Sequence, residues 1–328
     1  MNSEMRRQPE AIAEAIRAAD SIAICSHINP DGDTIGCALA MRLGLLALGK
    51  KPSVFCEDKI PDNLAMLPGV ETFRNPSDCG EAFDLFLAVD VSDPARLGTG
   101  RSLMERCAHT AQIDHHPTNP LFAETNSVDG YAPAASVLIY EQLRQMGVPM
   151  TREIAMCLYT GMSTDTGNFS FSATSAEVFS IMSELMRAGL PLSELSRILF
   201  RERSREQLRL LGRAIEHLRF AGGGRIAVMT LSRQDFLDCG ALNEHADTIV
   251  NYGLETVGTQ MAVLAREDEP GMIKFSLRSK SPQRIDDVAK SLGGGGHPQA
   301  SGITLAGTLR EATAVVVAAL EQKLETEK

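Results

Sequence analysis

Hydrophobic and polar positions along the first part of the chain follow two alternating periods. Short apolar runs predict strands at residues 21–27, 52–56, 85–90 and 111–115. Longer segments with apolar residues at helical spacing predict helices at residues 34–48, 134–146 and 153–163. Strands that alternate with helices are typical of a parallel sheet covered by helices. The pattern therefore predicts an α/β fold with an N-terminal parallel-sheet domain and flanking helices.

A second, smaller α/β domain is predicted after the glycines at 222–224. Its predicted strands are residues 225–231, 259–265 and 273–278, and its predicted helices are residues 285–292 and 309–324. Residues 191–220 form a charged, arginine-rich helical stretch, which we interpret as a solvated helix between domains, with substrate binding as the alternative. We therefore predict a first domain at residues 1–190, a helical linker at 191–222 and a second domain at 223–328.

Composition and cysteine usage favour a soluble protein of a reducing compartment. Of the 328 residues, 44% are hydrophobic and 23% are charged, as in ordinary globular proteins. The seven cysteines are scattered and form no C-x-x-C pair, which argues against a disulfide framework and a thiolate zinc site. The sequence begins without the apolar core of a signal peptide, and no later apolar stretch approaches the roughly 20 residues that span a bilayer. We therefore expect a cytoplasmic protein.

The charge balance limits the kind of nucleic acid that the chain can bind. The sequence has 32 Lys and Arg against 42 Asp and Glu, so its formal net charge is -10. Proteins that hold long nucleic acids neutralise many phosphates with basic side chains. If the substrate is a nucleic acid, we therefore expect it to be short. Bound cations would neutralise part of the acidity.

The first predicted strand runs into the segment HINPDGD, which places His27, Asp31 and Asp33 on a tight turn before a helix. Strand ends followed by helix starts are where open α/β sheets place ligands. Gly32 lets the turn bring two carboxylates toward one point, which is unfavourable unless a cation lies between them. An ordinary turn with a helix cap is the alternative interpretation.

Asp90 and the run Asp114-His115-His116 end two further predicted strands at the same edge of the sheet. An Asp at a strand end is common, and a His-His pair alone is more often incidental than a metal site. Because side chains alternate along a strand, three adjacent residues cannot all bind one ion through one face. We therefore expect His115 to bind the metal, Asp114 to orient a neighbouring group and His116 to point at the substrate.

Asp165 follows a predicted helix in the segment STDTGNFSF, where neighbouring hydroxyl residues could also make an ordinary cap. Four separate segments thus place an Asp or a His where a chain of this class faces its crevice. Mixed imidazole and carboxylate ligands suit Mn²⁺, Fe²⁺, Co²⁺ or Zn²⁺ better than Ca²⁺. The sequence therefore predicts a divalent metal site at this edge.

The second domain carries a glycine run before His297, without the preceding strand of a dinucleotide fingerprint or the lysine of a P-loop. The N–H groups of Gly294, Gly295 and Gly296 can crowd around an anion, and His297 can add a charge-assisted hydrogen bond. Pro298 and the strand predicted after it indicate a fixed loop rather than a flexible linker.

Arg278 and Ser279 close the preceding predicted strand, in the segment MIKFSLRS. An Arg at this position can donate two parallel hydrogen bonds to a phosphate. A surface Arg paired with Asp286 or Asp287 is an equally good interpretation on these grounds.

Five motifs occur in the order HINPDGDTIG, AVDVSD, IDHHPTN, STDTGNF and GGGGHPQASG. In this order they resemble the DHH phosphoesterase family with its DHH-associated C-terminal domain, from residue 21 to about residue 305. The resemblance implies a hydrolase whose active site lies in an interdomain cleft that closes over the substrate. Cys37 stands where many members have a small hydroxyl residue, a departure that leaves the implied ligands intact.

The resemblance implies a ligand role for six side chains: His27, Asp31, Asp33, Asp90, His115 and Asp165. His27 and Asp31 look like ligands of a first ion, and Asp90 looks like the carboxylate that bridges both ions. The remaining three look like ligands of the second ion. The implied cofactors are two divalent metal ions, usually Mn²⁺, with Mg²⁺ or Co²⁺ as alternatives.

The other motif residues resemble catalytic and substrate-binding groups. His116 looks like the group that contacts the scissile phosphate, and Asp114 supports the cluster. The implied substrate clamp consists of Arg278, Ser279, Gly294, Gly295, Gly296 and His297.

The two-domain length most resembles the branch that degrades short oligoribonucleotides and dephosphorylates 3′-phosphoadenosine 5′-phosphate. A stand-alone cyclic or linear dinucleotide phosphodiesterase could share every motif and is the main alternative. A RecJ-like exonuclease usually carries extra nucleic-acid-binding domains, and a non-catalytic nucleotide sensor usually loses metal ligands. We expect short RNA oligonucleotides or small nucleotides as partners, no long duplex DNA, no membrane, and a homodimer.

Overall fold

The structure, a computed structural model, describes residues 5–326, without the side chains of Met5, Arg6 and His297. The chain forms two compact units, Met1–Glu202 and Arg203–Lys328, and each contains its own sheet. Among the helices formed by the described residues, none combines the length and the hydropathy needed to span a bilayer.

Within residues 5–202, the chain forms one six-stranded sheet and seven α-helices. The strands are β1 (Met5–Arg6), β2 (Ser21–Cys25), β3 (Lys51–Phe55), β4 (Leu85–Val89), β5 (His109–Asp114) and β6 (Thr125–Asp129). The helices are α1 (Pro9–Ala18), α2 (Gly32–Ala47), α3 (Gly100–Met104), α4 (Ala135–Gln145), α5 (Arg152–Asp165), α6 (Ala176–Arg187) and α7 (Leu192–Phe200). The strand order is β1-β6-β5-β4-β2-β3, with β2 to β6 parallel and β1 antiparallel to β6.

The strand order reverses beside β2. The chain passes from β2 to β3 on one side and then continues in β4 on the other side of β2. At such a reversal, the loops after the two inner strands diverge and leave a crevice, where open α/β sheets bind ligands. The predicted metal-binding motifs follow β2, β4 and β5, so the topology brings them to this crevice.

Both faces of the first sheet are covered. Ile22 and Ile24 pack into the core formed with α1, α2, α4, α5 and α6 on one face. Ala23 and Cys25 point to the opposite face, where they pack with apolar residues near α3. All four side chains are fully buried. This explains why β2 reads as a continuous apolar run, as strands of a parallel sheet usually do.

Helices α2 and α5 cross so closely that two glycines are required at the contact. A Cβ at Gly36 would overlap the carbonyl oxygen of Cys157, and a Cβ at Gly161 would overlap Asp33 Oδ1. Close helix approach without side chains at the contact is a known use of glycine. The crossing brings the C-terminal end of α5, with Asp165, to the crevice.

Gly161→Ala should therefore damage both the fold and the metal site. The added Cβ would also lie 2.7 Å from Ser136 Oγ, so helices must shift, at an expected cost of about 1–3 kcal/mol. Gly212 is a matched control, because among the described residues outside its own helix backbone nothing lies within 4 Å of a Cβ placed there. Gly212→Ala should be neutral or stabilising by up to ~1 kcal/mol. Urea unfolding with and without Mn²⁺ measures both variants, and equal stability would contradict the close crossing.

Within residues 203–326, the chain forms a second six-stranded sheet and five α-helices. The strands are β7 (Arg219–Ala221), β8 (Ile226–Leu231), β9 (Met261–Glu269), β10 (Met272–Ser279), β11 (Gly295–His297) and β12 (Ala300–Ala306). The helices are α8 (Arg205–Glu216), α9 (Arg233–Cys239), α10 (Ile249–Leu254), α11 (Asp286–Ser291) and α12 (Leu309–Thr326). The order is β11-β12-β10-β9-β8-β7, and β8 and β9 are the parallel pair.

The second sheet is also covered on both faces. Ile226 and Val228 of β8 pack with α11 and α12, whereas Ala227 and Met229 pack with α8, α9 and α10. The α/β class predicted for both parts of the chain is thereby confirmed. The stretch predicted as a linker contains α7, in the first unit, and α8 and β7, in the second. The predicted domain boundaries stay predictions.

Strand β6 was not among the predicted elements, because its sequence, TNSVD, lacks an apolar run. Asn126 and Ser127 are nevertheless buried. Asn126 accepts a hydrogen bond from Gln112 and donates one to Ala123 O at 2.7 Å. A strand whose buried side chains are polar and hydrogen-bonded cannot be recognised from its pattern of hydrophobic residues.

Candidate metal centre

The six side chains predicted as metal ligands all lie at the crevice of the first unit. Each follows a strand of the parallel sheet or lies at one end of α2 or α5. The residues are His27 and Asp31 after β2, Asp33 in α2, Asp90 after β4, His115 after β5 and Asp165 at the end of α5.

One group of side chains surrounds the ring of His27. Its Nε2 lies 3.6 Å from Asp31 Oδ2 and 3.6 Å from Asp90 Oδ2. Asp31 uses its other oxygen to cap α2, where it accepts hydrogen bonds from the N–H groups of Asp33 (3.0 Å) and Thr34 (3.1 Å). Partial desolvation opposes ionisation of Asp31, but His27 and these N–H groups lower its pKa to about 2. Asp31 is therefore an anion at neutral pH, with one oxygen directed at His27.

A second group surrounds the ring of His115. Its Nε2 lies 3.2 Å from Asp165 Oδ2 and 3.4 Å from Asp90 Oδ1, and its ligand atom lies within 4.8 Å of those of Asp33 and Asp165. On the other side of the ring, Nδ1 lies 3.1 Å from Ala132 O. Only a protonated Nδ1 can donate to that carbonyl, so the neutral ring keeps the lone pair of Nε2 facing the carboxylates.

Asp90 stands between these two groups. Its Oδ2 faces His27 and its Oδ1 faces His115. The residue is only 2% exposed, yet Oδ1 has no hydrogen-bond donor among the described residues. Burial, followed by the charges of Asp33 and Asp31, raises the pKa of Asp90 well above its usual value. The residue also has φ +57°, in the left-handed region where strain is often found at functional sites.

This donor set fits divalent metal ions. A cation beside Asp90 would bind Oδ1, which no described residue reaches with a hydrogen bond, and would offset the repulsion among the carboxylates. Imidazole and carboxylate donors together suit Mn²⁺, Fe²⁺, Co²⁺ or Zn²⁺. Among the described residues, the groups whose ligand atoms lie within 4.8 Å of one another are His27-Asp31-Asp90, Asp33-His115-Asp165 and Asp90-His115-His116.

Asp33 also anchors a distant helix. Its Oδ2 accepts a hydrogen bond from Ala135 N (2.6 Å) and its Oδ1 from Ser136 N (3.0 Å), the first residues of α4. Cys37 Sγ lies 3.5 Å from Oδ1, so the residue that departs from the family pattern contacts a predicted ligand. Burial, followed by the charge of Asp165, raises the pKa of Asp33 to about 6.

Affinity for divalent ions should consequently rise with pH through this range. A proton and a cation compete for Asp33. Burial opposes protonation of His115, but Asp165 and Asp90 raise its pKa above the usual value. His115 must therefore also lose a proton before it can bind an ion. We expect the association constant for Mn²⁺ to fall about tenfold or more between pH 7 and pH 5. Isothermal titration calorimetry across pH 5–8 measures it, and an affinity independent of pH would contradict the assignment.

His116 is oriented by Asp114. Its Nδ1 lies 2.8 Å from Asp114 Oδ1, and its backbone N–H donates to Asp114 Oδ2 at 3.2 Å. Burial of Asp114 opposes its ionisation, but the hydrogen bonds and charge of His116, with Asn119, lower its pKa below the usual value. The anion therefore holds the ring through Nδ1 and turns Nε2 away from itself. The geometry agrees with the predicted division of roles, which remains a prediction.

Sequence reasoning did not identify Asn119 as part of the site. Its Nδ2 lies 2.7 Å from Asp114 Oδ2, 3.0 Å from Val91 O and 3.0 Å from Gln112 Oε1. Gln112 donates in turn to Asn119 Oδ1 at 3.0 Å and to Asn126 Oδ1. The available signal was a polar Gln in an otherwise apolar strand, which requires a buried partner.

Asn119→Ala should weaken both the fold and the orientation of His116. It leaves Asp114 Oδ2 without its amide donor, which we expect to cost about 2–3 kcal/mol of unfolding free energy. The matched control is Asn126→Ala, which disturbs the same network but does not contact Asp114. We expect both variants to lose stability in urea and only Asn119→Ala to lose most of its turnover. Equal turnover in the two variants would remove Asn119 from the site.

Arg278 lies in β10, in the second unit, and Nη1 of its guanidinium donates to Leu277 O at 2.9 Å. Asp286 and Asp287 pair with other cations, so the described residues do not support the alternative of a surface ion pair at Arg278. Burial lowers the pKa of its guanidinium. Ser279 is buried and donates through Oγ to Gln283 O at 2.7 Å.

Part of the glycine run forms a strand rather than a loop. Gly295–His297 is the edge strand β11, in which Gly296 pairs with Ser301 of β12. A Cβ at Gly294 would overlap Gly302 O, so glycine permits the close approach to β12. The side chain of His297 lies outside the described residues, and its contact with an anion stays a prediction.

An open parallel sheet with Asp and His side chains at its carboxyl edge defines an α/β protein with a candidate binuclear metal centre. Residues 21–162 match the DHH family, N-terminal domain, and residues 213–326 match the DHHA1 domain. The chain belongs to the DHH family, and the resemblance seen in its motifs is confirmed.

Similar proteins extend over nearly the whole chain. It is 34% identical to the bifunctional oligoribonuclease and PAP phosphatase NrnA of Thermus thermophilus, over 95% of this chain and 93% of that protein. The protein of the same name from Bacillus subtilis is 25% identical, over 90% of this chain and 92% of that protein. The crystal structure of an exopolyphosphatase-related protein from Bacteroides fragilis superposes with a TM-score of 0.90 at 27% identity, covering 96% of this chain and 95% of that chain.

Proposed function

We propose that this protein is a two-metal phosphoesterase that hydrolyses short oligoribonucleotides and 3′-phosphoadenosine 5′-phosphate. The observation that carries the proposal is Asp90, a buried carboxylate that lies between two groups of His and Asp side chains and whose Oδ1 has no hydrogen-bond partner among the described residues. The substrate class is supported by the relatives named as bifunctional oligoribonuclease and PAP phosphatase. The acidic balance of the chain favours short substrates over long nucleic acid.

The proposed ligands divide into two sets that share Asp90. His27 and Asp31 would hold one ion, and Asp33, His115 and Asp165 would hold the other. When bound, two divalent ions, for which we propose Mn²⁺, polarise a phosphoryl oxygen and make a water molecule more acidic. The chain itself fixes the positions of three proposed ligands. Asp31 accepts a hydrogen bond from the N–H of Asp33 at the start of α2, and Asp33 accepts one from the N–H of Ala135 at the start of α4. Nδ1 of His115 contacts the carbonyl oxygen of Ala132.

We assign the phosphate contact to His116. Asp114 holds Nδ1 of its ring, so the ring is fixed with Nε2 directed away from Asp114, an orientation suited to contact with an oxygen of the scissile phosphate as negative charge develops there. In the second unit, Arg278, Ser279, Gly294, Gly295, Gly296 and His297 are the proposed clamp for another phosphate of the substrate. The support for this clamp is the guanidinium of Arg278, which forms no ion pair among the described residues.

The test is a side-by-side assay of the metal-free protein after addition of Mn²⁺, Mg²⁺ or Co²⁺. Substrates are di- to pentaribonucleotides, 3′-phosphoadenosine 5′-phosphate, cyclic and linear dinucleotides, pyrophosphate and duplex DNA. We expect the first two classes to be hydrolysed fastest, with Mn²⁺ the best activator and chelation abolishing turnover. Preference for a cyclic dinucleotide would favour the dinucleotide phosphodiesterase, and preference for pyrophosphate would refute the nucleotide assignment.

A further inference from the structure

Arg96 lies beside the candidate metal centre and forms no ion pair with any residue that the structure describes. Arg96 is carried by the turn that follows Asp90, and its backbone carbonyl accepts a hydrogen bond from Ile28 N at 2.8 Å. This bond ties the loop after β4 to the loop after β2, so Arg96 is held next to His27. Its side chain is half-buried. Among the described residues no carboxylate pairs with it, although Asp31 and Asp90 flank the same histidine ring.

The contact between Arg96 and His27 conflicts with a second contact at the same atom. Arg96 Nη2 lies 2.8 Å from His27 Nδ1, and the carbonyl oxygen of Ile28 lies 2.9 Å from that nitrogen. A guanidinium can only donate and a carbonyl can only accept, so Nδ1 can satisfy one of them at a time. With the proton on Nδ1, the ring donates to Ile28 and leaves Nε2 free to face Asp31 and Asp90. The guanidinium of Arg96 then has no acceptor within the described part of the chain.

We propose that Arg96 binds a phosphate oxygen of the substrate at the metal centre. Its guanidinium carries five N–H donors in a fork that matches phosphate geometry, and among the described residues at most one acceptor occupies it. An anionic substrate that enters a crevice lined by four aspartates needs such a cation close to the reacting group. The proposal rests on the proposed function, because it takes the ligand to be a nucleotide phosphate.

Arg96 could instead serve only to orient His27. In that case its loss would disturb the ring and weaken metal binding, with no separate effect on the substrate. In a substrate-binding role its loss leaves the metals in place and weakens the nucleotide. The two roles are therefore separated by measuring metal affinity and nucleotide affinity independently.

The experiment compares Arg96→Ala and Arg96→Lys with the control Arg101→Ala. Arg101 lies five positions after Arg96, and its side chain is 61% exposed in a surface pair with Glu105. Its replacement by Ala removes the same charge as Arg96→Ala. Calorimetry measures Mn²⁺ binding, and then binding of adenosine 5′-monophosphate to the Mn²⁺-loaded protein. Steady-state kinetics on a diribonucleotide gives kcat and KM for each variant.

For Arg96→Ala we expect Mn²⁺ affinity within about twofold of wild type, and mononucleotide affinity and 1/KM lower by about 10- to 100-fold. Arg96→Lys should recover part of the loss, and Arg101→Ala should match wild type. A parallel loss of Mn²⁺ affinity, unchanged nucleotide affinity, or no mononucleotide binding by wild type would each overturn the assignment. If wild type binds the mononucleotide through Arg96 but hydrolyses no oligoribonucleotide, the proposed function fails while the phosphate site stands.

Discussion

Asp90→Asn should abolish hydrolysis and metal binding while leaving the apoprotein folded. Both oxygens of Asp90 face predicted ligand groups. The side chain of Asn is a weaker metal ligand than a carboxylate, because it is uncharged and an NH₂ group replaces one oxygen. Lewis-acid assistance supplies several kcal/mol, and each 1.4 kcal/mol is a factor of ten, so we expect kcat to fall by at least about 1,000-fold. The number of Mn²⁺ ions bound, measured by calorimetry and elemental analysis, should fall with it.

The stability of this variant separates metal loss from unfolding. Asn tolerates the left-handed backbone at position 90, and it carries no charge for Asp33 and Asp31 to repel. Because the raised pKa of Asp90 means that its ionisation destabilises the folded apoprotein, the relative stability of Asp90→Asn should increase as pH rises from the ordinary carboxyl range toward that raised pKa, and should level off above it. Wild type should gain ~2.7 kcal/mol at a Mn²⁺ concentration 100 times its Kd, and the variant should gain much less.

The matched control for this experiment is Asp62→Asn, which removes a carboxylate that is 78% exposed and paired with Lys59. It should keep wild-type activity and metal content. Retention of two Mn²⁺ ions and wild-type kcat by Asp90→Asn would show that the carboxylate does not bridge the ions. Unfolding of the variant in the absence of metal would show that Asp90 is a structural residue.

His116→Ala should remove turnover and leave the metals in place. The nitrogen of His116 that lies 3.7 Å from Asp90 Oδ1 is Nδ1, and because Asp114 already holds this atom, it is not available as a metal ligand. Loss of a positioned donor at the reacting phosphate is expected to lower kcat by about 10²- to 10⁴-fold. Calorimetry with Mn²⁺ should give wild-type stoichiometry and an affinity within a few-fold of wild type.

The control for His116 is His109→Ala. His109 is the first residue of β5, the strand that precedes His116, and its side chain is 72% exposed in a pair with Glu124. It should behave as wild type in both measurements. Loss of a bound ion from His116→Ala would instead place this ring among the metal ligands, together with Asp90 and His115.

Much of the candidate site could be predicted because its side chains lie at strand ends. Asp90 closes an apolar run, and in a parallel sheet the ends of such runs meet at one edge. Strand alternation separated the role of His115 from that of His116, and the structure places their rings in different environments. Local sequence pattern and chain topology were sufficient for these inferences.

Contacts between distant segments could not be predicted in this way. Asp33 binds the start of α4, more than 100 positions away, and this contact is invisible to any local pattern. Arg96 lies beside His27 because one backbone hydrogen bond joins two loops. Gly295 and Gly296 join an edge strand, since antiparallel pairing with β12 depends on register rather than on composition.

We propose that Asp90 lies between two metal ions. Anomalous scattering from crystals of the protein grown with Mn²⁺, collected on both sides of the manganese absorption edge, tests it directly. We predict two manganese peaks, one beside His27 and Asp31 and one beside Asp33, His115 and Asp165, with an oxygen of Asp90 bound to each. A single peak, or two peaks that Asp90 does not contact, would show that Asp90 does not bridge two ions.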